Sequence, residues 1–249
     1  MVPTEAATKN SFAVLCIDRG DEWEEMEVKE AGCTRLLSVC KGVTEATLLE
    51  DRLDLPAMES IKSCVNRLLC KGQESIAGIT FDVSSLWLKH QGSLRQAFPQ
   101  LPILTPMMQL PFIWNCIGAT GKTLIVTWNE MDLDETMFEK SRAEVLTVDS
   151  SDPKWSHFLS GKKGDQDLLK DLVDMLQQRL DQVGHAAESI ILDSMLSKFT
   201  KSLRKAFRVP VFDEVSMLEL FSAACSLSHF SDANVLGRLE KSESKRDSA

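Results

Sequence analysis

The sequence predicts an α/β protein made of two pseudo-symmetric halves, each a mostly parallel four-stranded sheet flanked by helices, with a ligand cleft between them. Three observations carry this prediction: an internal repeat, short apolar runs at matching places in the two copies, and helical stripes between those runs. The repeat is direct. Ile79-Thr-Phe-Asp-Val, Ser93-Leu-Arg-Gln-Ala-Phe and Leu101-Pro-Ile-Leu return in order as Ile190-Ile-Leu-Asp-Ser, Ser202-Leu-Arg-Lys-Ala-Phe and Val209-Pro-Val-Phe. Asp82 and Asp193 thereby correspond.

At nearly the same offset, Phe12-Ala-Val-Leu-Cys-Ile stands opposite Lys122-Thr-Leu-Ile-Val-Thr. Runs this short and this apolar suit parallel strands buried on both faces. Each half reads strand, intervening segment, helix, strand, helix, strand, an order that demands right-handed crossovers onto a parallel sheet. The segment from Leu55 carries apolar residues at 58, 61, 65, 68 and 69, a helical stripe stopped by Gly72. Gln166 to Val183 does the same with Leu168, Leu169, Leu172, Val173, Leu176 and Leu180, ending at Gly184. The predicted organisation is a frayed segment over 1–10, a first half over 11–108 and 214–237, a second over 109–213, and a disordered tail over 238–249.

The 249 residues, 43% of them hydrophobic, suffice for a substantial core. With Lys+Arg 28 against Asp+Glu 37, a net charge of −9 and no basic cluster, nucleic acid is excluded as a partner. No apolar run reaches the ~18 residues of a membrane span, and the opening Met1-Val-Pro-Thr-Glu lacks a secretory layout, so a cytoplasmic protein is expected. Seven cysteines without a C-x-x-C pair argue against a disulfide framework or a zinc knuckle. The four histidines share no ligand spacing on one helix, so neither metal nor cofactor is expected.

Ligands of open parallel sheets gather outside the carboxyl ends of the strands. Those ends hold Asp18 and Arg19, then Asp82, Val83, Ser84 and Ser85, then Thr105, in the first half. The second half supplies Thr127, Trp128, Asn129, Asp193, Ser194, Met195 and Asp213. Asp82 and Asp193 offer an acid and a base across the cleft, because an apolar pocket raises a carboxyl pKa toward neutrality; alternatively each caps the helix that follows it. Ser84, Ser85 and Ser194 offer an oxyanion arrangement or further caps. Thr127 and Asn129 either bind polar ligand atoms or form a plain turn, Asp18 and Arg19 form an ion pair, and Asp213 ties down a loop. Trp23, Trp87 and Trp128 point to a larger, more apolar ligand.

Gly78-Ile-Thr-Phe-Asp-Val-Ser-Ser-Leu-Trp through Leu104-Thr-Pro-Met-Met-Gln-Leu-Pro, then Gly121-Lys-Thr-Leu-Ile-Val-Thr, resembles the aspartate/glutamate racemase superfamily, which also holds hydantoin racemases, maleate isomerases and arylmalonate decarboxylases. Ile190-Ile-Leu-Asp-Ser-Met with Val209-Pro-Val-Phe-Asp213 is similar to that family's second catalytic loop and closing strand. The resemblance spans about residues 12 to 225. It implies flavodoxin-like halves, a small-molecule substrate and, commonly, a homodimer.

It also implies one cysteine on each side of the substrate carbon, at the positions held here by Val83 and Ser194. Valine carries no proton, and a serine hydroxyl needs a base beside it. Two-cysteine racemisation and one-cysteine decarboxylation are both excluded by that substitution. The stretch Gly20-Asp-Glu-Trp-Glu-Glu-Met-Glu-Val-Lys-Glu, read as a loop, carries six carboxylates that repel a small dicarboxylate.

Three readings follow. One is a cysteine-independent, cofactor-independent isomerase, lyase or cyclase, with Asp82, Ser84, Asp193 and Ser194 catalytic and Asp18, Arg19, Val83, Ser85, Trp87, Thr105, Thr127, Trp128, Asn129 and Met195 binding an organic acid or carbonyl compound from a biosynthetic route. Another is a non-catalytic descendant that binds a metabolite or a partner. The last gives Cys16 or Cys116 the role of a relocated nucleophile.

Overall fold

A computed structural model of the protein describes residues 10–20, 24–29, 33–71, 76–117, 122–128, 142–148, 152–159, 165–183 and 187–228. Two four-stranded sheets form. The first has strands β1 (Asn10–Ile17), β2 (Glu25–Lys29), β3 (Cys33–Cys40) and β4 (Ile76–Phe81) in the order β2-β3-β1-β4, all parallel except the β2/β3 pair. The second has β5 (Thr123–Trp128), β6 (Ala143–Val148), β7 (Ser189–Leu192) and β8 (Val211–Phe212) in the order β6-β5-β7-β8, parallel throughout.

The repeat is visible in individual hydrogen bonds. Ile79 N–H donates to Pro102 O at 2.8 Å and Ile190 N–H to Pro210 O at 2.9 Å, so the two Pro-containing runs are stitched to β4 and β7 in the same way. Asp82 N–H donates to Leu15 O and Asp193 N–H to Val126 O, which fixes the two aspartates equivalently at the strand ends. Gly78 permits the first of these contacts. A Cβ there would lie 3.0 Å from Leu104 Cδ1 and 3.1 Å from Pro102 O, too close for an unstrained side chain.

Two expectations are corrected. Leu101-Pro-Ile-Leu touches the first sheet through a single bridge, Ile79 to Ile103, and is not a full strand. Part of the acidic stretch expected to be a loop is β2, whose Glu25 to Lys29 pair antiparallel with Thr34 to Ser38. The alternation Glu-Met-Glu-Val-Lys is what an edge strand needs to stay soluble.

Helix α1 (Glu45–Leu49) is capped by Thr44, whose hydroxyl accepts from Thr47 N–H at 3.3 Å. Helix α2 (Leu55–Lys71) is capped by Asp54, which accepts from Ala57 N–H at 2.8 Å, and it turns Ile61, Val65 and Leu68 inward. Past β4 come α3 (Ser84–Trp87), a 3₁₀ turn and α4 (Gln91–Ala97). Helices α5 (Leu110–Ile117), α6 (Pro153–Leu159), α7 (Asp165–Val183), α8 (Thr200–Phe207) and α9 (Glu214–Ser228) complete the described α-helices, with 3₁₀ helices over Pro106–Gln109 and Ser194–Phe199. Gly72 and Gly184, the expected helix stops, lie outside the described residues, as do 1–9 and 229–249.

Strand periodicity sorts the core into shared and private parts. Ala13, Leu15 and Ile17 of β1 join Leu124, Val126 and Trp128 of β5 and Ile190 and Leu192 of β7 in one apolar cluster common to both halves. The opposite faces are covered by exchanged helices. Helix α5, which follows the first half, packs Leu110, Ile113 and Trp114 on Ile125 and Ile191 of the second sheet. Helix α9, which follows the second half, packs Met217 and Leu218 with Phe12 and Cys33 of the first sheet. Glu214 pairs with Arg35 at 3.2 Å, and Asn10 donates to Ser222 Oγ at 2.9 Å. Each sheet is closed by a helix that lies beyond the other sheet's strands or ahead of its own in the chain.

Candidate functional site

The carboxyl ends of β1, β4, β5 and β7 converge, and the side chains there bond to one another. Asp82 accepts from Ile17 N–H at 3.3 Å and from its neighbour Val83 N–H at 2.9 Å. Its second partner type is a cation: Arg19 Nη2 lies 2.8 Å from Asp82 Oδ2. The two side chains keep 18% and 13% of their surface, so the pair is largely but not wholly dry. Burial lifts the Asp82 pKa to about 6, against the pull of the Arg19 charge and the Ile17 and Val83 amides.

Asp18 does not pair with Arg19, contrary to the sequence expectation. Its carboxylate accepts from Gly20 N–H at 3.1 Å and from Gly42 N–H at 2.9 Å, and those two amides, Gly42 first, hold its pKa below the usual range. Gly20 and Gly42 both have positive φ, at 77° and 78°, which lets each amide turn toward the carboxylate. Arg19 is thus released from its neighbour and reaches across to Met195 Sδ at 3.7 Å as well as to Asp82.

Asp193 is 0% exposed and its carboxylate crosses to the other half. Oδ1 accepts from Ser84 N–H at 3.1 Å and from the Ser84 hydroxyl at 3.4 Å; Oδ2 accepts from Ser85 N–H at 2.8 Å. Burial raises its pKa, while Ser85, Met195 and Ser84 act against that rise. The expectation that Asp193 caps the helical turn that follows it is corrected: its side chain makes no cap bond there and instead holds the first amides of α3. Ser194 Oγ donates to Ser84 Oγ at 3.0 Å, and Ser85 Oγ donates to Trp128 O at 3.1 Å. The two loops are in direct contact through their own polar atoms.

The remaining candidates are internal. Val83 is fully buried among the shared apolar cluster. Trp87 is buried and stacks on Phe81, centroids 4.9 Å apart. Trp128 is buried and meets Trp155 of α6 edge-on at 6.3 Å. Thr127 is buried in β5, and Thr105 is buried with Gln91 Nε2 at 3.5 Å from its hydroxyl. Met195 is half-buried under Arg19. Asn129 and Trp23 lie outside the described residues.

Asp213 accepts from Thr200 Oγ1 at 2.5 Å and from Ser216 N–H at 2.8 Å, and Ser216 Oγ accepts from Asp213 N–H at 2.8 Å, a reciprocal cap on α9. Cys16 is buried on β1, and burial, then the Asp82 charge, push its thiol well above the ordinary range, the reverse of what a nucleophile needs. Cys116 is exposed on α5. Among the described residues no group of His, Cys, Asp and Glu is arranged to hold a metal ion. None of the described helices is long and apolar enough to cross a membrane.

Sequence reasoning found Asp82, Ser84, Ser85, Asp193 and Ser194 but missed which partners they take. The signal for Arg19 with Asp82 was faint: a cation two residues past the end of β1 and a carboxylate one residue past the end of β4.

The sequence matches no protein-family profile and no curated protein. Among solved structures the chain is similar to unliganded arylmalonate decarboxylase, with 13% identity over 88% of this chain and 93% of that one and a TM-score of 0.47. It is also similar to allantoin racemase from Pseudomonas fluorescens, with 12% identity over 88% and 92% and a TM-score of 0.47. At this identity the likeness transfers no residue role and no reaction.

Proposed function

We propose that this chain is a non-catalytic descendant of a racemase-like scaffold, whose inter-half cleft is held shut by its own polar groups. One observation carries the reading: the Asp193 carboxylate already occupies the Ser84 and Ser85 amides. In such a cleft those amides are the donors that a ligand carboxylate would use. A second carboxylate at ~4 Å from Asp193 would be repelled by about 4 kcal/mol at an effective dielectric near 20, roughly a thousandfold in affinity. The Ser84 hydroxyl is engaged by Ser194, and position 83 offers only an apolar side chain turned into the core.

The test is solvent deuterium uptake at the α-carbon of aspartate, glutamate and a substituted hydantoin, together with carbon dioxide release from an arylmalonate, followed by NMR at high protein concentration. No exchange or release above buffer is expected. Protein-dependent exchange of any one compound overturns the reading.

Asp82 favours a second reading, a cysteine-independent isomerase, lyase or cyclase acting on a neutral carbonyl compound at the rim of the cleft. A carboxyl with a pKa of about 6, beside a guanidinium that retains some exposure, suits proton transfer near neutral pH. Its mark would be a turnover whose pH profile bends near 6 and disappears in Asp82→Asn.

A further inference from the structure

Away from the cleft, the end of β3 and the middle of α2 bring two thiols together. Cys40 and Cys64 are both buried and belong to one apolar cluster where α2 packs on β3. Arg67, one turn along α2 from Cys64, places Nη2 3.3 Å from Cys64 Sγ and 3.4 Å from Ser38 Oγ. Cys64 Sγ also lies 3.2 Å from Val39 O. The guanidinium sits at the protein surface with Glu25 Oε1 at 3.5 Å and Glu24 Oε2 at 3.8 Å, so the thiol pair lies one side chain beneath solvent.

The environment divides the two sulfurs. The hydrogen bond with Cys40, followed by those with Ser38 and Arg67, brings the Cys64 pKa down to about 6 against the effect of burial. Cys40 moves the other way, through the same bond and its burial. A readily ionised thiol beside one that stays protonated is the division of labour between an attacking and a resolving cysteine.

We propose that Cys64 and Cys40 form a dithiol site that hydrogen peroxide oxidises to an intrachain disulfide. The Cys64 thiolate attacks the peroxide; an S–O bond forms, the O–O bond breaks, and the departing hydroxide takes a proton to become water. The Cys40 sulfur then attacks the resulting sulfenic acid. An S–S bond forms as the S–O bond breaks, and hydroxide leaves with the Cys40 proton as a second water. The peroxide gains the two electrons that the thiols lose. The crosslink joins β3 to α2 just before the turn whose Gly42 amide and Val43 carbonyl hold Asp18.

The full chain is treated with hydrogen peroxide below its unfolding temperature, denatured in N-ethylmaleimide, digested and mapped by mass spectrometry. The expected result is a Cys40–Cys64 linked peptide, reversed by dithiothreitol, while the exposed Cys70 and Cys116 remain alkylated. Cys40→Ser, which removes the resolving sulfur, should leave Cys64 as a sulfenic acid trapped by dimedone. Oxidation of Cys70 or Cys116 with Cys40 and Cys64 both alkylated overturns the proposal, and that outcome is read on the unmutated protein.

Discussion

Asp193 Oδ2 and the Ser85 amide meet at 2.8 Å although 108 residues separate them in the chain. With Ser84 N–H at 3.1 Å on Oδ1, one buried carboxylate ties the second half's loop to the first turn of the first half's helix. The exchanged helices α5 and α9 bind the halves with apolar surface; Asp193 sets the register of their facing loops.

Replacing Asp193 by Ala leaves two buried amides and the Ser84 hydroxyl without their acceptor. Each buried unsatisfied donor costs about 1 to 3 kcal/mol, so a loss of about 3 to 5 kcal/mol is expected, or about 10 °C in Tm for a chain of this length. Asp193→Asn keeps the shape but turns one acceptor into a donor, and should fall between. Urea denaturation of the three proteins measures this. An Ala variant as stable as the parent would show that the clamp contributes nothing.

Much of the architecture was legible because the repeat places Asp82 and Asp193 at equivalent strand ends, and strand ends are fixed by apolar runs that any reading of the sequence detects. The partners of those aspartates were not legible. A carboxylate after a strand reads alike whether it holds its own helix or another 109 residues away, since the choice depends on how two sheets face each other. Arg19 was assigned to its neighbour Asp18 because adjacency is all the sequence shows; two glycine amides had already taken that carboxylate. Trp87 and Trp128 gave the same signal a pocket lining would give, and only the packing of Phe81 and Trp155 on them shows that they fill core.

Asp82 makes stability depend on pH. Its folded pKa of about 6 stands above the ~3.9 of an unfolded aspartate, so the folded state binds more protons between those values. The contribution is therefore present in acid and is lost as pH rises from about 4 through 6, by about 3 kcal/mol at most. Comparing unfolding free energies of the parent and Asp82→Asn across this window isolates it. An Asn variant with the parent's full slope would remove Asp82 as the source.

Arg19 is the largest influence holding the Asp82 pKa down. In Arg19→Met the Asp82 titration should move upward from about 6, visible by carboxyl carbon NMR, and the stability window should extend to higher pH with it. The same variant loses the contact to Met195, so a chemical-shift change is expected on the second half's loop as well. A titration that stays in place would mean that the 2.8 Å pair does not persist in solution.

Trp87 and Trp128 are fully buried, yet among the described residues neither indole Nε1 has a hydrogen-bond partner. Such a group gives up its water without compensation, so removing it recovers part of the cost of losing ring area. Trp128→Phe and Trp87→Phe should each cost less than about 1.5 kcal/mol, whereas the Ala variants should cost about 3 to 5 kcal/mol from lost packing against Trp155 and Phe81. Equilibrium unfolding of the four variants gives the comparison. If Phe proves as damaging as Ala, the indole N–H groups are hydrogen-bonded in the folded protein, and the core there is more polar than its side chains indicate.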